Sequence, residues 1–145
     1  MHTYTIKGTP VPWARPRQNG RVFFDSQRSI KNLWAVSLEN QAEGQPFYNR
    51  TPLHLDVKFI FQPPTGFKPL TRVSLMGKPY ILKKDLDNMV KFVMDSCSGI
   101  LFDDDSCIYK VSAEKVYGEE ACTTFGFIPL ECNTIKTMYG VGARK

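Results

Sequence analysis

Six of the chain's eight aspartates fall between residues 83 and 108, and they fall in two clusters separated by a hydrophobic run. The first cluster is Asp85-Leu86-Asp87, with Asn88, Lys91 and Asp95 following. The second is Asp103-Asp104-Asp105, leading into Ser106-Cys107-Ile108. Ionised oxygens gathered in this way suit a hard divalent cation and the chemistry of phosphate esters.

Leu86, Met89, Val90, Val93 and Met94 recur at three- and four-residue spacing, which predicts a helix from about Leu86 to Cys97 with one apolar stripe. Asp87, Lys91 and Asp95 then share another face. Asp85 takes the N-cap position, where an extended residue can aim its carboxylate toward the same space as Asp87. The free amides and the positive end of the helix dipole favour the ionised form there. An Asp-x-Asp at a helix start is also an ordinary cap, so these two residues alone leave both readings open. The second cluster shifts the balance, because three consecutive like charges repel unless solvated or bridged by a cation. Gly99 provides a turn after the helix, and Ser106 to Tyr117 reads as a strand that could return the second cluster toward the first.

The order Lys83-x-Asp85-Leu86-Asp87-Asn88-x-x-Lys91-x-x-x-Asp95, followed by Asp104-Asp105-Ser106-x-Ile108, resembles the RusA family of Holliday-junction resolvases and their phage-encoded relatives. Lys84 stands where the family usually has Pro or Arg, and Cys107 where it usually has Gln or another polar residue. Neither departure touches an acidic position. The resemblance is close over residues 83–108 and looser around Arg15-Pro16-Arg17. It implies a divalent-metal-dependent endonuclease acting on branched DNA such as Holliday junctions, with Asp85, Asp87 and Asp105 binding Mg²⁺ (or Mn²⁺) and Asp104 as a nearby ligand. Lys91 would orient water or meet developing charge, and Asn88 would order the ligands. It further implies a homodimer, whose two sites would make the two opposed nicks that resolve a four-way junction.

Charge distribution accords with that expectation. Residues 1–84 carry thirteen Lys and Arg against four Asp and Glu, whereas residues 85–145 carry six against ten. A basic surface around an acidic centre is what a metal-dependent nuclease requires. Arg15, Arg17 and Arg21 lie in a segment stiffened by Pro10, Pro12 and Pro16, and read either as phosphate contacts or as solvated loop charge. Lys68, Arg72, Lys78, Lys83 and Lys84 punctuate a long Pro- and Gly-containing stretch from Pro63 onward, expected to be a loop that helps hold DNA or an unstructured insertion. Two rival functions remain at this level: a non-catalytic basic DNA-binding module, and a metal-dependent nucleotide phosphohydrolase. The spread of basic residues disfavours the second, since a small substrate needs one compact phosphate pocket.

Length and composition fit one domain over residues 1–145, with 42% hydrophobic residues to supply a core. No run suits a membrane span and Met1-His2-Thr3-Tyr4 is not a signal peptide, so a cytoplasmic protein of a bacterial or phage-infected cell is expected. Cys97, Cys107, Cys122 and Cys132 form no Cys-x-x-Cys pair and read as free thiols rather than zinc ligands.

The predicted fold class is α+β, with one mixed sheet of about four or five strands packed against two principal helices. Strands are expected at Tyr4–Gly8, Val22–Phe24 and Leu53–Phe61, and a hairpin is expected from Ser106–Tyr117 with Cys122–Leu130. The first helix should extend from an Asp25 or Ser26 cap to about Glu43, with Ile30, Leu33, Trp34 and Leu38 facing inward. His54 reads as structural or surface, and the tail from Cys132 as loose.

Overall fold

Polar and apolar residues alternate at Tyr4-Thr5-Ile6-Lys7, giving strand β1 (Tyr4–Lys7) with the odd-man pattern of burial that a half-buried strand requires. The coordinates are those of a computed structural model, and the structure describes residues 1–132, 134 and 135, without the side chains of Arg17, Asn19, Phe23 and Phe24. The expectation for the tail beyond Cys132 therefore lies largely outside the described residues.

A proline-containing arm follows β1 and ends in a small antiparallel hairpin, β2 (Arg17–Asn19) with β3 (Val22–Phe24). β2 was not expected, because the prolines before it mask a three-residue strand. Helix α1 (Arg28–Gln41) starts later than predicted, with Gln27 at the N-cap. Asp25 contributes from outside the helix, its Oδ1 accepting the Gln27 amide at 2.9 Å. Trp34 and Leu38 are buried and Ile30 is partly buried. Leu33 corrects the predicted inward face, since it is 68% exposed; the helix meets its neighbours on a narrower stripe than its apolar residues span.

Strand β4 (Leu53–Phe61) buries Leu53, Leu55, Val57, Phe59 and Phe61 on one side. The next stretch corrects a second expectation. It holds a short helix, α2 (Pro69–Leu75), with Pro at its first turn, where the missing N–H costs nothing. Helix α3 (Leu86–Cys97) then occupies the predicted range, and Gly99 with φ +83° turns the chain beyond it. A single 3-10 turn, Asp105–Cys107, leads into β5 (Ile108–Tyr117), and β6 (Cys122–Pro129) completes the sheet.

The sheet order is β1-β6-β4-β5. β4 runs antiparallel to β6 and parallel to β5, with Val57 opposite Phe125 on one side and Ala113 on the other. The predicted β5–β6 hairpin is thus absent, because β4 lies between the two strands. Their connection crosses the end of β4, where the Gly118 amide donates to the Phe61 carbonyl at 2.9 Å. A side chain at Gly118 would collide with Ile60, so the crossing needs glycine. The architecture remains α+β, with one mixed four-stranded sheet.

Parallel pairing of β4 with β5 demands a long connection, and α2 and α3 lie within it. α1 packs on β1 and on α3, and α3 packs on β5. Phe59, Phe92, Phe102, Phe125, Leu55 and Met89 fill the space between helices and sheet. Trp34 meets Phe92 edge-on at 5.0 Å, placing it in the core as its helical spacing predicts. Truncating Phe92 to Ala would cost about 3–5 kcal/mol.

Candidate active site

Asp85 enters the site because the segment before it is tied to the outer edge of β5. The Gly77 amide donates to the Tyr117 carbonyl, the Tyr117 amide to Lys78, and the Tyr80 amide to Lys115, each at 2.9 Å. Tyr80 stacks on Phe61 with ring centroids 4.0 Å apart, which anchors this edge to the core. The chain then reaches Lys84, whose φ of +126° is a conformation that side chains rarely adopt. The Lys84 carbonyl accepts a hydrogen bond from Lys115 Nζ at 2.7 Å.

Asp85 follows in extended conformation at the N-cap of α3, as its position predicts, yet its side chain makes no capping hydrogen bond. Asp87 lies in the first turn. Neither carboxylate has a hydrogen-bond or ion-pair partner among the described residues. Both line an open cleft of about 670 Å³, shared with Leu86, Val90, Val111, Ala113 and Lys115. The walls are α3 and the middle of β5, so packing of helix on strand creates the cleft.

Lys91 does not pair with Asp87 or Asp95 among the described residues. Its ammonium lies over the Trp13 ring, 3.6 Å from the centroid. An Asp87–Lys91 pair at i,i+4 would contribute about 0.2–0.5 kcal/mol, and a cation–π contact at a partly exposed site about 0.5–1 kcal/mol, so the ring wins. Asp95 is instead held by Lys31, which bridges Asp25 at 2.9 Å and Asp95 at 2.8 Å. Burial draws the Lys31 ammonium down, but the bonds to Asp25 and Asp95 outweigh it and hold its pKa above the ordinary lysine value.

The arm that carries Trp13 is clamped at both ends of its crossing. The Trp13 amide donates to the Asn88 carbonyl at 2.9 Å. Gln27 Nε2 donates to the Pro12 carbonyl at 2.8 Å, while Gln27 Oε1 accepts the Ala14 amide at 2.9 Å. Arg15 is exposed just beyond this clamp, and so is Arg21. The Arg17 side chain is outside the described residues.

The second acidic cluster divides its work. Asp103 Oδ1 accepts the Arg50 amide at 3.1 Å, and the Cys107 thiol lies 3.7 Å away. Asp104 Oδ2 accepts the Ser106 amide at 3.1 Å, and the Ser106 hydroxyl and amide hold its carboxyl below the ordinary range. Asp105 has no side-chain partner among the described residues. It precedes β5, and Ile108 to Val111 is roughly 10 Å of strand, so Asp105 is not among the residues lining the cleft. No three His, Cys, Asp or Glu side chains among the described residues converge into a metal-holding group. A closed cage is therefore not formed, but magnesium commonly takes one or two carboxylates, keeps several waters and shares the substrate's phosphate. Asp85 and Asp87, two unpartnered oxygen donors at a helix start, fit that mode of binding.

Of the other basic residues, Lys68, Lys78, Lys83 and Lys84 are exposed, whereas Arg72 donates to the Pro63 and Pro64 carbonyls at 3.0 and 2.7 Å and so ties α2 to the end of β4. His54 bonds Ser112 Oγ at 2.8 Å across β4 and β5, a structural role. The four cysteines are free, and burial raises the Cys97 thiol far above its ordinary pKa. Sequence reasoning missed Trp13 and Lys115. A lysine near the end of a predicted strand gave a face but not the neighbour across it, and the Trp13–Lys91 contact joins residues far apart in the chain.

The chain matches the family model described as Endodeoxyribonuclease RusA over residues 7–124. It belongs to the RusA family. RusA-family proteins are endodeoxyribonucleases that resolve Holliday junctions, so the resemblance carried by the two aspartate clusters extends over most of the chain. The match runs from the last residue of β1 into the start of β6 and includes α3 and β5, the walls of the cleft. The chain is also 28% identical over 125 residues to a protein of Bacillus subtilis (strain 168) described as Uncharacterized protein YqaN, covering 81% of this chain and 88% of that one. No helix among the described residues is long and apolar enough to cross a membrane.

Proposed function

We propose that this RusA-family chain is a Mg²⁺-dependent nuclease that resolves Holliday junctions by paired, symmetric nicks from a homodimer. The observation that carries the reading is the pair of carboxylates, Asp85 and Asp87, without a side-chain partner among the described residues, opening into one cleft beside exposed lysines. Asp85 and Asp87 would hold the ion. Asp105 is the third acid, the member of its cluster that Arg50 and Ser106 leave unengaged, and Asp104 stands beside it. Magnesium, when bound, supplies Lewis acidity toward a phosphodiester oxygen and a more acidic water. Mn²⁺ would serve in the same position.

The protein's own residues do the rest. Asn88 fixes the arm through its carbonyl, and Lys91 offers positive charge toward the phosphate as charge develops there. Arg15, Arg17, Arg21, Lys68, Lys78, Lys83 and Lys84 hold the backbones of the junction arms, and Arg72 contributes by ordering α2. A homodimer is supported by the first half of β5, a sheet edge on which Tyr109 is 55% exposed.

Titrating Mg²⁺ into nicking assays on a synthetic four-way junction tests the proposal. Saturable, metal-dependent cleavage of the branched substrate, far faster than of linear duplex, is expected. Binding without cleavage at any Mg²⁺ or Mn²⁺ concentration would replace it with a non-catalytic DNA-binding role.

A further inference from the structure

We infer that Trp13 is a positioning residue: its indole face holds the Lys91 ammonium and so prevents the ion pair with Asp87 that would otherwise occupy a metal-binding carboxylate. The inference rests on the reading of Asp87 as a metal ligand.

Asp87 and Lys91 stand four residues apart on α3, with the acid on the N-terminal side, the arrangement that favours a helical ion pair. Asp95, the other carboxylate within one turn of Lys91, is engaged by Lys31, so it does not draw Lys91 away. What diverts Lys91 is the Trp13 ring, with Nζ 3.6 Å from its centroid. The ring is held in turn: its own amide is bonded to the Asn88 carbonyl on α3, and Gln27 bonds both Pro12 and Ala14 on either side of it. Trp13 is partly buried against the core, which fixes which face it presents. The consequence is a lysine close to the acidic pair that does not neutralise it. A cation at Asp87 then meets a carboxylate whose two oxygens have no partner among the described residues.

Binding of Mn²⁺ to the DNA-free full-length chain, followed calorimetrically, tests this without reference to cleavage. Trp13→Leu should weaken Mn²⁺ binding by about 1.4- to 2.3-fold, the fold-change set by an i,i+4 ion pair competing for the acid. Trp13→Phe keeps an aromatic face and should bind as wild type does. In the Trp13→Leu background, Lys91→Met should restore binding at least to the wild-type level, because the competitor is gone. Wild-type affinity in Trp13→Leu, or a double variant as weak as Trp13→Leu, would overturn the inference. Should Trp13→Leu fail to fold, NMR on the wild-type chain decides: the Lys91 ε-methylene protons should be shifted upfield by the ring, and unshifted signals would overturn it. An Asp87→Asn chain that binds Mn²⁺ as well as wild type would overturn the ligand reading itself, and that result is separate from the Trp13 comparisons.

Discussion

Lys115 on β5 donates through Nζ to the carbonyl of Lys84 at 2.7 Å, and Lys84 is held in a left-handed conformation immediately before Asp85. A strained residue persists only where its surroundings hold it, at a cost of about 1–3 kcal/mol. Lys115→Met should therefore loosen the entry to α3 and lower cleavage roughly tenfold, as outlying partners of metal-site ligands commonly do. Lys84→Gly should relieve the strain and raise the melting temperature by a few degrees, about 2–4 °C per kcal/mol for a chain of this size. The effect of Lys115→Met on melting should then shrink in the Lys84→Gly background; equal effects in both backgrounds would show that the bond does not hold this conformation.

Asp85→Asn, Asp87→Asn and Asp105→Asn should each stop nicking while leaving junction binding intact or slightly tighter, because each removes a negative charge that faces phosphate. Gel-shift and cleavage assays on the same junction separate the two effects. Full nicking by any of the three would remove that residue from the site. Asp103→Asn offers a contrast, since Asp103 is engaged by the Arg50 amide and should affect stability more than rate.

The Asp25–Lys31–Asp95 cluster predicts an acid-sensitive contribution to stability. The bond from Lys31, then the Gln27 amide, holds the Asp25 carboxyl below the ordinary value in the folded chain. Its contribution is therefore present above the unfolded carboxyl value and is lost as pH falls below about 4 through the lower folded value. Lys31→Met should cost roughly 1 kcal/mol near neutrality, in line with a partly exposed network. The difference in melting temperature between Lys31→Met and wild type should narrow below that pH; a constant difference would contradict the assignment.

Arg15→Ala should weaken binding to all junction sequences alike and reduce the slope of log affinity against log salt by roughly 1, as the loss of one phosphate contact requires. Because the arm is clamped by Gln27 and Asn88, the variant should melt as wild type does. An unchanged slope would mean that Arg15 faces solvent in the complex.

Mixing wild-type chains with excess Asp87→Asn chains should give heterodimers that nick one strand without resolving the junction. Sedimentation showing only monomer at micromolar protein, with and without junction DNA, together with undiminished paired cutting, would refute the dimer. The exposed first half of β5 is the place to perturb it, through Tyr109, which does not line the cleft.

Helix α3 was legible from sequence to the residue because its apolar spacing, its N-cap position and the Gly99 turn all agree. The alternation in β4 was equally plain, with five residues buried on one face. Pairing was not legible: periodicity tells which face of a strand is buried but not which strand lies beside it, and so β5 and β6 read as a hairpin. α2 escaped notice because it is seven residues long and buries none of them. The site was half visible. Two acidic clusters announced themselves by composition, but the free state of Asp85, the engagement of Asp103 and Asp104, and the Lys91–Trp13 contact depend on distances that no spacing encodes.

The insertion of β4 between β5 and β6 also bears on the order in which the molecule assembles. Pairing β5 with β4 closes a loop that contains both α2 and α3, and pairing β6 with β4 closes a longer one. Neither contact is local, so chain entropy opposes both until the helices have begun to pack. α3 can coil early from its own sequence, but the second wall of its cleft arrives only when β5 docks. The setting of the two carboxylates therefore depends on a long-range strand pairing and not on α3 alone.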